Sequence, residues 1–169
     1  HLLRYLHVTV KADLSHINSL SRIAKEQFMN LDATAVRNLE LIKNMRDGSK
    51  RGTLLDVLDF TSTSMGARKL RNWIECPLLD LSQIRSRQEA IGELLTNVQM
   101  RGNLQEKLKA IFDLERIVSR IEVGSANARD LVSLRSSLAV LPEIKSLLRY
   151  CNSKLLQQLC EDVHLHQEL

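Results

Sequence analysis

Apolar residues recur three and four positions apart through most of this chain, the spacing that lines one face of an α-helix, so the pattern predicts a succession of helices. Asp32 can cap a helix on which Ala35, Leu39 and Ile42 share a face, with Val36 and Met45 at its edges and Asp47-Gly48 at its end. Leu54, Leu55 and Leu58 predict a short apolar helix. The hydroxyls of Thr61 to Ser64 offer caps for the next, which reaches Trp73 and is stopped by Pro77. Asp80 and Gln83 stand at capping-box spacing ahead of a stripe formed by Ile84, Ile91, Leu95 and Val98. Two further stripes follow with little linker, Leu104, Leu108 and Ile111, then Leu114, Ile117, Val118 and Ile121, the latter closed by Gly124. Asn127 and Asp130 mark another helix start. Leu131, Leu134, Leu138 and Leu141 carry that helix to Pro142, and Ile144, Leu147 and Leu148 indicate that it resumes or bends; these seven side chains need cover.

One segment reads differently. Around Ile23, Phe28, Met29 and Leu31, residues 22–32 alternate as a short β-hairpin or an extended lead-in would. The expectation is an all-α, multi-helix, bundle-like core domain over 22–150 with a short hairpin near 22–32. An N-terminal arm or the end of a connector helix precedes it over 1–21, and 151–169 continues the core.

Composition narrows the function classes. With 169 residues, 44% hydrophobic, 6 Gly and 2 Pro, the chain can bury a core and is poor in turn formers. Aromatic residues make up only 4%, too few for a single-strand nucleic-acid stacking platform. The 24 Lys and Arg against 20 Asp and Glu give +4, spread along the chain without a dense phosphate-tracking run. Cys76, Cys151 and Cys160, odd in number and widely spaced, are expected as free thiols. No apolar run is long enough for a membrane span and no N-terminal signal is present.

Candidate chemistry is thin. Gly48-Ser49-Lys50-Arg51-Gly52-Thr53 has the wrong spacing for a phosphate-cradling P-loop and no lysine after its second glycine. Cys160, His164 and His166 could supply zinc ligands, but 166 leaves the helical face shared by 160 and 164 and no fourth ligand is evident. Asp113, Glu115, Arg116 and Arg120 form the densest charged cluster. Asp113 and Arg116 are three residues apart and Arg116 and Arg120 four, so Arg116 and Arg120 are expected to brace neighbouring helices through carboxylates rather than to catalyse hydrolysis.

Taken together, these elements resemble the core domain of the MutS mismatch-repair family. The resemblance runs from Leu31-Asp32-Ala33-Thr34 and Arg37-Asn38-Leu39-Glu40-Leu41 through Gly52-Thr53-Leu54-Leu55 and Leu58-Asp59. It continues through Thr61-Ser62-Thr63-Ser64-Met65-Gly66-Ala67-Arg68 and Trp73-Ile74-Glu75-Cys76-Pro77-Leu78 to Arg87, Asp113-Leu114-Glu115-Arg116, Ser119-Arg120 and Arg129-Asp130-Leu131. It implies a structural signature at Asp32, Asn38, Glu40, Thr63, Gly66, Arg68, Trp73, Pro77, Arg87, Asp113, Glu115, Arg116, Arg120 and Asp130, with no catalytic, cofactor-binding or metal residue. It further implies a non-catalytic lever excised from a larger parent, linking mismatch and clamp DNA binding to ATPase domains elsewhere. ATP and Mg would then belong to the parent and no cofactor to this segment. The implied partners are mismatched double-stranded DNA through the parent, a second MutS-type subunit, and the remaining core, clamp and ATPase domains, with no membrane. Location would be cytoplasmic for a bacterial protein and nuclear for a eukaryotic one. The rival reading is a free-standing helical protein-interaction module that takes a partner helix in an apolar groove.

Overall fold

Every described helix starts at a short polar side chain that takes over amides the first turn leaves free. The computed structural model describes residues 27–165, in which eight helices follow one another: α1 (Ala33–Asn38), α2 (Leu54–Leu58), α3 (Ser64–Glu75), α4 (Leu81–Thr96), α5 (Val98–Lys109), α6 (Leu114–Glu122), α7 (Ala128–Leu148) and α8 (Lys154–Asp162). Their caps are Asp32, Thr53, Thr63, Asp80, Asn97, Asp113, Asn127 and Ser153. At α7 the cap is reciprocal: Asn127 accepts from the Asp130 amide while Asp130 accepts from the Asn127 amide. The domain is all-α.

The first helix is shorter than its apolar spacing predicts. It stops at Asn38 because Glu40 adopts a left-handed conformation, φ +46°. The Glu40 amide then donates to the Arg37 carbonyl and the Leu41 amide to the Val36 carbonyl, which is a Schellman stop. Leu41 is thereby turned into a buried position against Val36. The Glu40 carboxylate folds over the turn and accepts from the Met45 amide at 2.6 Å. Residues 39–53 are therefore a structured loop rather than the rest of a helix.

The hairpin or extended lead-in expected near 22–32 falls partly outside the described residues. Residues 22–26 lie outside the described part, and Phe28 forms an isolated antiparallel bridge with Leu78, fifty residues away. The Met29 amide donates to the Pro77 carbonyl at 2.8 Å and the Leu79 amide to Gln27 at 3.2 Å. The extended lead-in thus fastens to the segment after α3, where Pro77 has ended the helix and freed a carbonyl.

Two apolar clusters form. The smaller buries Leu41, Leu55 and Ile74, with Leu31, Val36, Ile42 and Leu70 packed around them. The larger lies where α4, α5, α7 and α8 meet and buries Ala90, Met100, Ile144, Leu148, Cys151, Leu156 and Cys160. All three cysteines are free.

The stripes read from the sequence are only partly the buried ones. On α4 the small Ala90, together with Leu94, faces the core, whereas Ile91 and Leu95 face outward and, like Val98 at the start of α5, are each more than half exposed. An alanine at the contact lets α5 and α8 approach closely, so the bulkier residues are left on the far face. On α7, which continues through the exposed Pro142, Ile144 and Leu148 are buried, Leu134, Leu138, Leu141 and Leu147 are half-buried, and Leu131 is exposed. Among the described residues that set is therefore covered incompletely.

Candidate functional site

The charged residues singled out by the sequence converge where α3, α6 and the start of α7 meet. Asp113 can serve there because it is the N-cap of α6. Its two oxygens accept from the two terminal nitrogens of Arg68 on α3, at 2.7 and 2.8 Å, a fork-to-fork pair between residues 45 apart in sequence. Glu115 accepts from Nε and Nη2 of the same guanidinium at 3.0 and 2.5 Å. These bonds from Arg68 hold the Asp113 carboxyl down at about 2, and the two carboxylates raise Arg68 above its already high value.

One turn further along α6, Arg120 donates from Nε and Nη2 to Asp130 at 3.1 and 2.5 Å. Asp130 is buried at the first turn of α7, and the Asn127 amide, followed by Arg120, lowers its carboxyl below the usual carboxylate range. Arg120 thus meets a carboxylate of the following helix, the contact that bracing requires. Arg116 behaves differently: it reaches Asp113 only at 3.4 Å and its side chain is 73% exposed. The cause is competition for one carboxylate: Asp113 spends both oxygens on Arg68 from a neighbouring helix, and Arg116 is left pointing at water.

The other signature positions serve local structure. Thr63 accepts from the Gly66 amide at 2.9 Å, and a Cβ on Gly66 would stand 3.0 Å from the Thr63 hydroxyl, so the cap and the glycine are fitted to each other. Arg87 of α4 lies 3.8 Å over the ring of Trp73 on α3, and burial lowers the Arg87 guanidinium. Asp32 caps α1, Asn38 ends it as an exposed residue, Glu40 makes the turn, and Pro77 receives Met29. The arrangement thus has three parts: an α1 exit, an α3 entry and exit, and the charged junction.

Two polar contributions escaped the sequence reading. Ser137, wholly buried within α7, donates to the Ser133 carbonyl and accepts from the Phe112 amide at 3.0 Å, anchoring the α5–α6 connection. Glu93 of α4 accepts from the Asn152 and Ser153 amides at 2.6 and 2.7 Å, which lowers its carboxyl and pins the start of α8 to α4. Only the type of residue was visible beforehand, because each partner lies on a different element.

Chemically, the junction balances Arg68, Arg116 and Arg120 against Asp113, Glu115 and Asp130. Each carboxylate is engaged, and the Ser119 hydroxyl of the same face donates to the Glu115 carbonyl. It is built to hold helices. Among the described residues no group of three or more His, Cys, Asp or Glu gathers as metal ligands; Cys160 is buried with its thiol toward the Lys145 carbonyl, His164 is exposed, and His166 lies outside them. No described helix is long and apolar enough to cross a membrane.

An all-α segment held by such a junction has a family counterpart: the model of MutS domain III matches residues 34–169. The chain is 46% identical over 163 residues to the DNA mismatch repair protein MutS of Symbiobacterium thermophilum, covering 96% of this chain and 19% of that protein. It is 50% identical over 147 residues to the protein of that name from Pelotomaculum thermopropionicum, covering 87% and 17%. With that from Lachnoclostridium phytofermentans it shares 44% over 168 residues, covering 99% and 18%. The chain belongs to the MutS family and is its domain III segment. It spans about a fifth of the length of the curated relatives it matches.

Proposed function

We propose that this chain is the non-catalytic lever of a DNA mismatch-repair protein, transmitting movement between DNA-binding parts and ATP-consuming parts of a longer parent. The observation that carries this reading is the Arg68 fork. It locks α3, which carries the smaller core, to α6, which packs on the long α7 leading into the larger core. A helix of α7's 21 residues extends about 32 Å, long enough to carry a displacement across a small domain. Transmission requires that the joined parts move together, and a bidentate ion pair resists rotation better than a single contact.

In this reading ATP, Mg, mismatched duplex DNA and a second MutS-type subunit are engaged by the parent, and the chain's own residues hold and orient. The location is cytoplasmic in a bacterium, in keeping with the bacterial relatives. The test is Arg68→Ala in the full-length parent. Basal ATP hydrolysis and mismatch binding are expected to persist while stimulation of hydrolysis by mismatched DNA falls. Undiminished stimulation would contradict a lever role for this junction.

A further inference from the structure

The chain's positive charge is less evenly spread than it first looks. Residues 37–51 hold five cations against two carboxylates, a net +3 of the whole chain's +4. Lys50 pairs with Asp59, but Arg37, Lys43, Arg46 and Arg51 are exposed and have no ion-pair partner among the described residues. The two carboxylates of the segment are turned inward on the backbone: Glu40 accepts from the Met45 amide and Asp47 from the Ser49 amide. Asn44 ties the loop's ends together, its amide donating to the Ser49 carbonyl at 2.9 Å and its side chain to the Arg51 carbonyl at 3.1 Å. The cations are thus displayed on a fixed frame.

Beside them is a hollow of about 570 Å³, floored by Leu31, Val36, Ile42 and Met45 and flanked by Arg37 and Lys43. Its one acidic lining residue, Glu75, is paired with Arg71. We propose that this hollow docks an acidic, amphipathic protein segment, whose apolar side chains enter over Ile42 and Met45 while its carboxylates meet Arg37, Lys43 and the neighbouring Arg46 and Arg51. The apolar floor favours protein over nucleic acid, because a phosphate backbone has nothing to place there and no described aromatic residue lines the hollow to stack a base. Residues 1–26 of the same chain are a poor match, carrying four cations against two carboxylates. The surface goes beyond the lever reading and does not depend on it.

The experiment is a titration of the chain with a fluorescein-labelled peptide of about 18 residues, leucines at helical spacing and glutamates elsewhere. Arms of polyglutamate, a leucine/lysine peptide of equal length and a short DNA duplex run beside it. Saturable binding of the leucine/glutamate peptide is expected, shifting the Leu31, Val36 and Ile42 methyl resonances of the unaltered chain. Arg37→Glu with Lys43→Glu should weaken it about tenfold, and so should Met45→Ser, whereas Lys69→Glu with Arg85→Glu, two exposed cations elsewhere, should leave it within about twofold. Equal or tighter binding of polyglutamate, the lysine peptide or duplex DNA would overturn the proposal. So would equal loss in the control pair, or methyl shifts confined to other residues.

Discussion

The two apolar cores are held by different means. Around α4, α5, α7 and α8 seven side chains are buried together, two of them cysteines and one a methionine, whose soft sulfurs fill irregular space; Cys151 lies 3.9 Å from the Met100 sulfur, and burial raises its thiol. The smaller core buries three side chains, and the chain around it is held by polar links: the Schellman turn at Glu40, the Asn44 loop, the Thr53 and Thr63 caps, and the bridge from Phe28 to Leu78. One region is stabilised chiefly by area removed from water, the other by directional bonds that depend on geometry. A body of the first kind keeps its shape, and a body of the second kind can be repositioned where its polar attachments are released.

Truncations in the cores should show the largest difference. Leu148→Ala is expected to cost about 2–5 kcal/mol in urea melts, because its surroundings are closed on several sides and cannot collapse fully. Leu55→Ala should cost less, since its neighbours Leu54, Val57 and Leu58 already face water. Equal losses would mean that the two cores are of one kind.

Next comes the junction. Arg68→Ala strands Asp113 and Glu115 and should lower the urea midpoint and broaden the transition, with the smaller core unfolding first. Arg116→Ala, which removes an exposed side chain with one long contact, should overlay the parent. Reversal of that order would return Arg116 to the bracing role that its spacing predicts.

Acid should act on the same place. Asp113 has its carboxyl lowered from 3.8 to about 2 in the folded protein, so its contribution is complete above the unfolded value. It should be lost as pH falls from about 4 towards 2, where the folded carboxyl finally takes a proton. Melting temperature followed across that window should drop more steeply for the parent than for Asp113→Asn. Parallel curves would show that the fork adds little in solution.

The smallest effect is expected at Glu40. Glycine suits its φ of +46° but forfeits the bond to the Met45 amide, so Glu40→Gly should lie close to the parent. Glu40→Ala loses the bond and keeps the strain, and should fall about 1 kcal/mol below the glycine variant. If alanine equals glycine, the turn is not the constraint that stops α1.

What the sequence made legible divides along the same line. Caps are local, and Asp32, Asp80 and the Asn127/Asp130 pair stand within three residues of the amides they bind, so spacing alone revealed them, while for α3 it narrowed the cap to the run Thr61 to Ser64, of which Thr63 serves. Family resemblance pointed at Arg68 and Asp113 together, but not at their contact, because nothing local joins residues 45 apart. The same holds for Ser137 with Phe112 and for Glu93 with the start of α8. On α4, apolar residues occur on more than one face, and periodicity had no means of choosing Ala90 and Leu94 over Ile91 and Leu95. At α1 the spacing ran on past residue 38, while the chain itself was turned by one glutamate.

Arg68 is expected to make the two cores move as one body. A distance distribution between spin labels on α2 and α8 tests it, with labels at Val57→Cys and Glu161→Cys, both exposed, and Cys76→Ser to remove the most accessible native thiol. One narrow distance is expected for the parent, and a broad or second population on adding Arg68→Ala. A parent distribution already as broad as the variant's, or a variant as narrow as the parent, would contradict it.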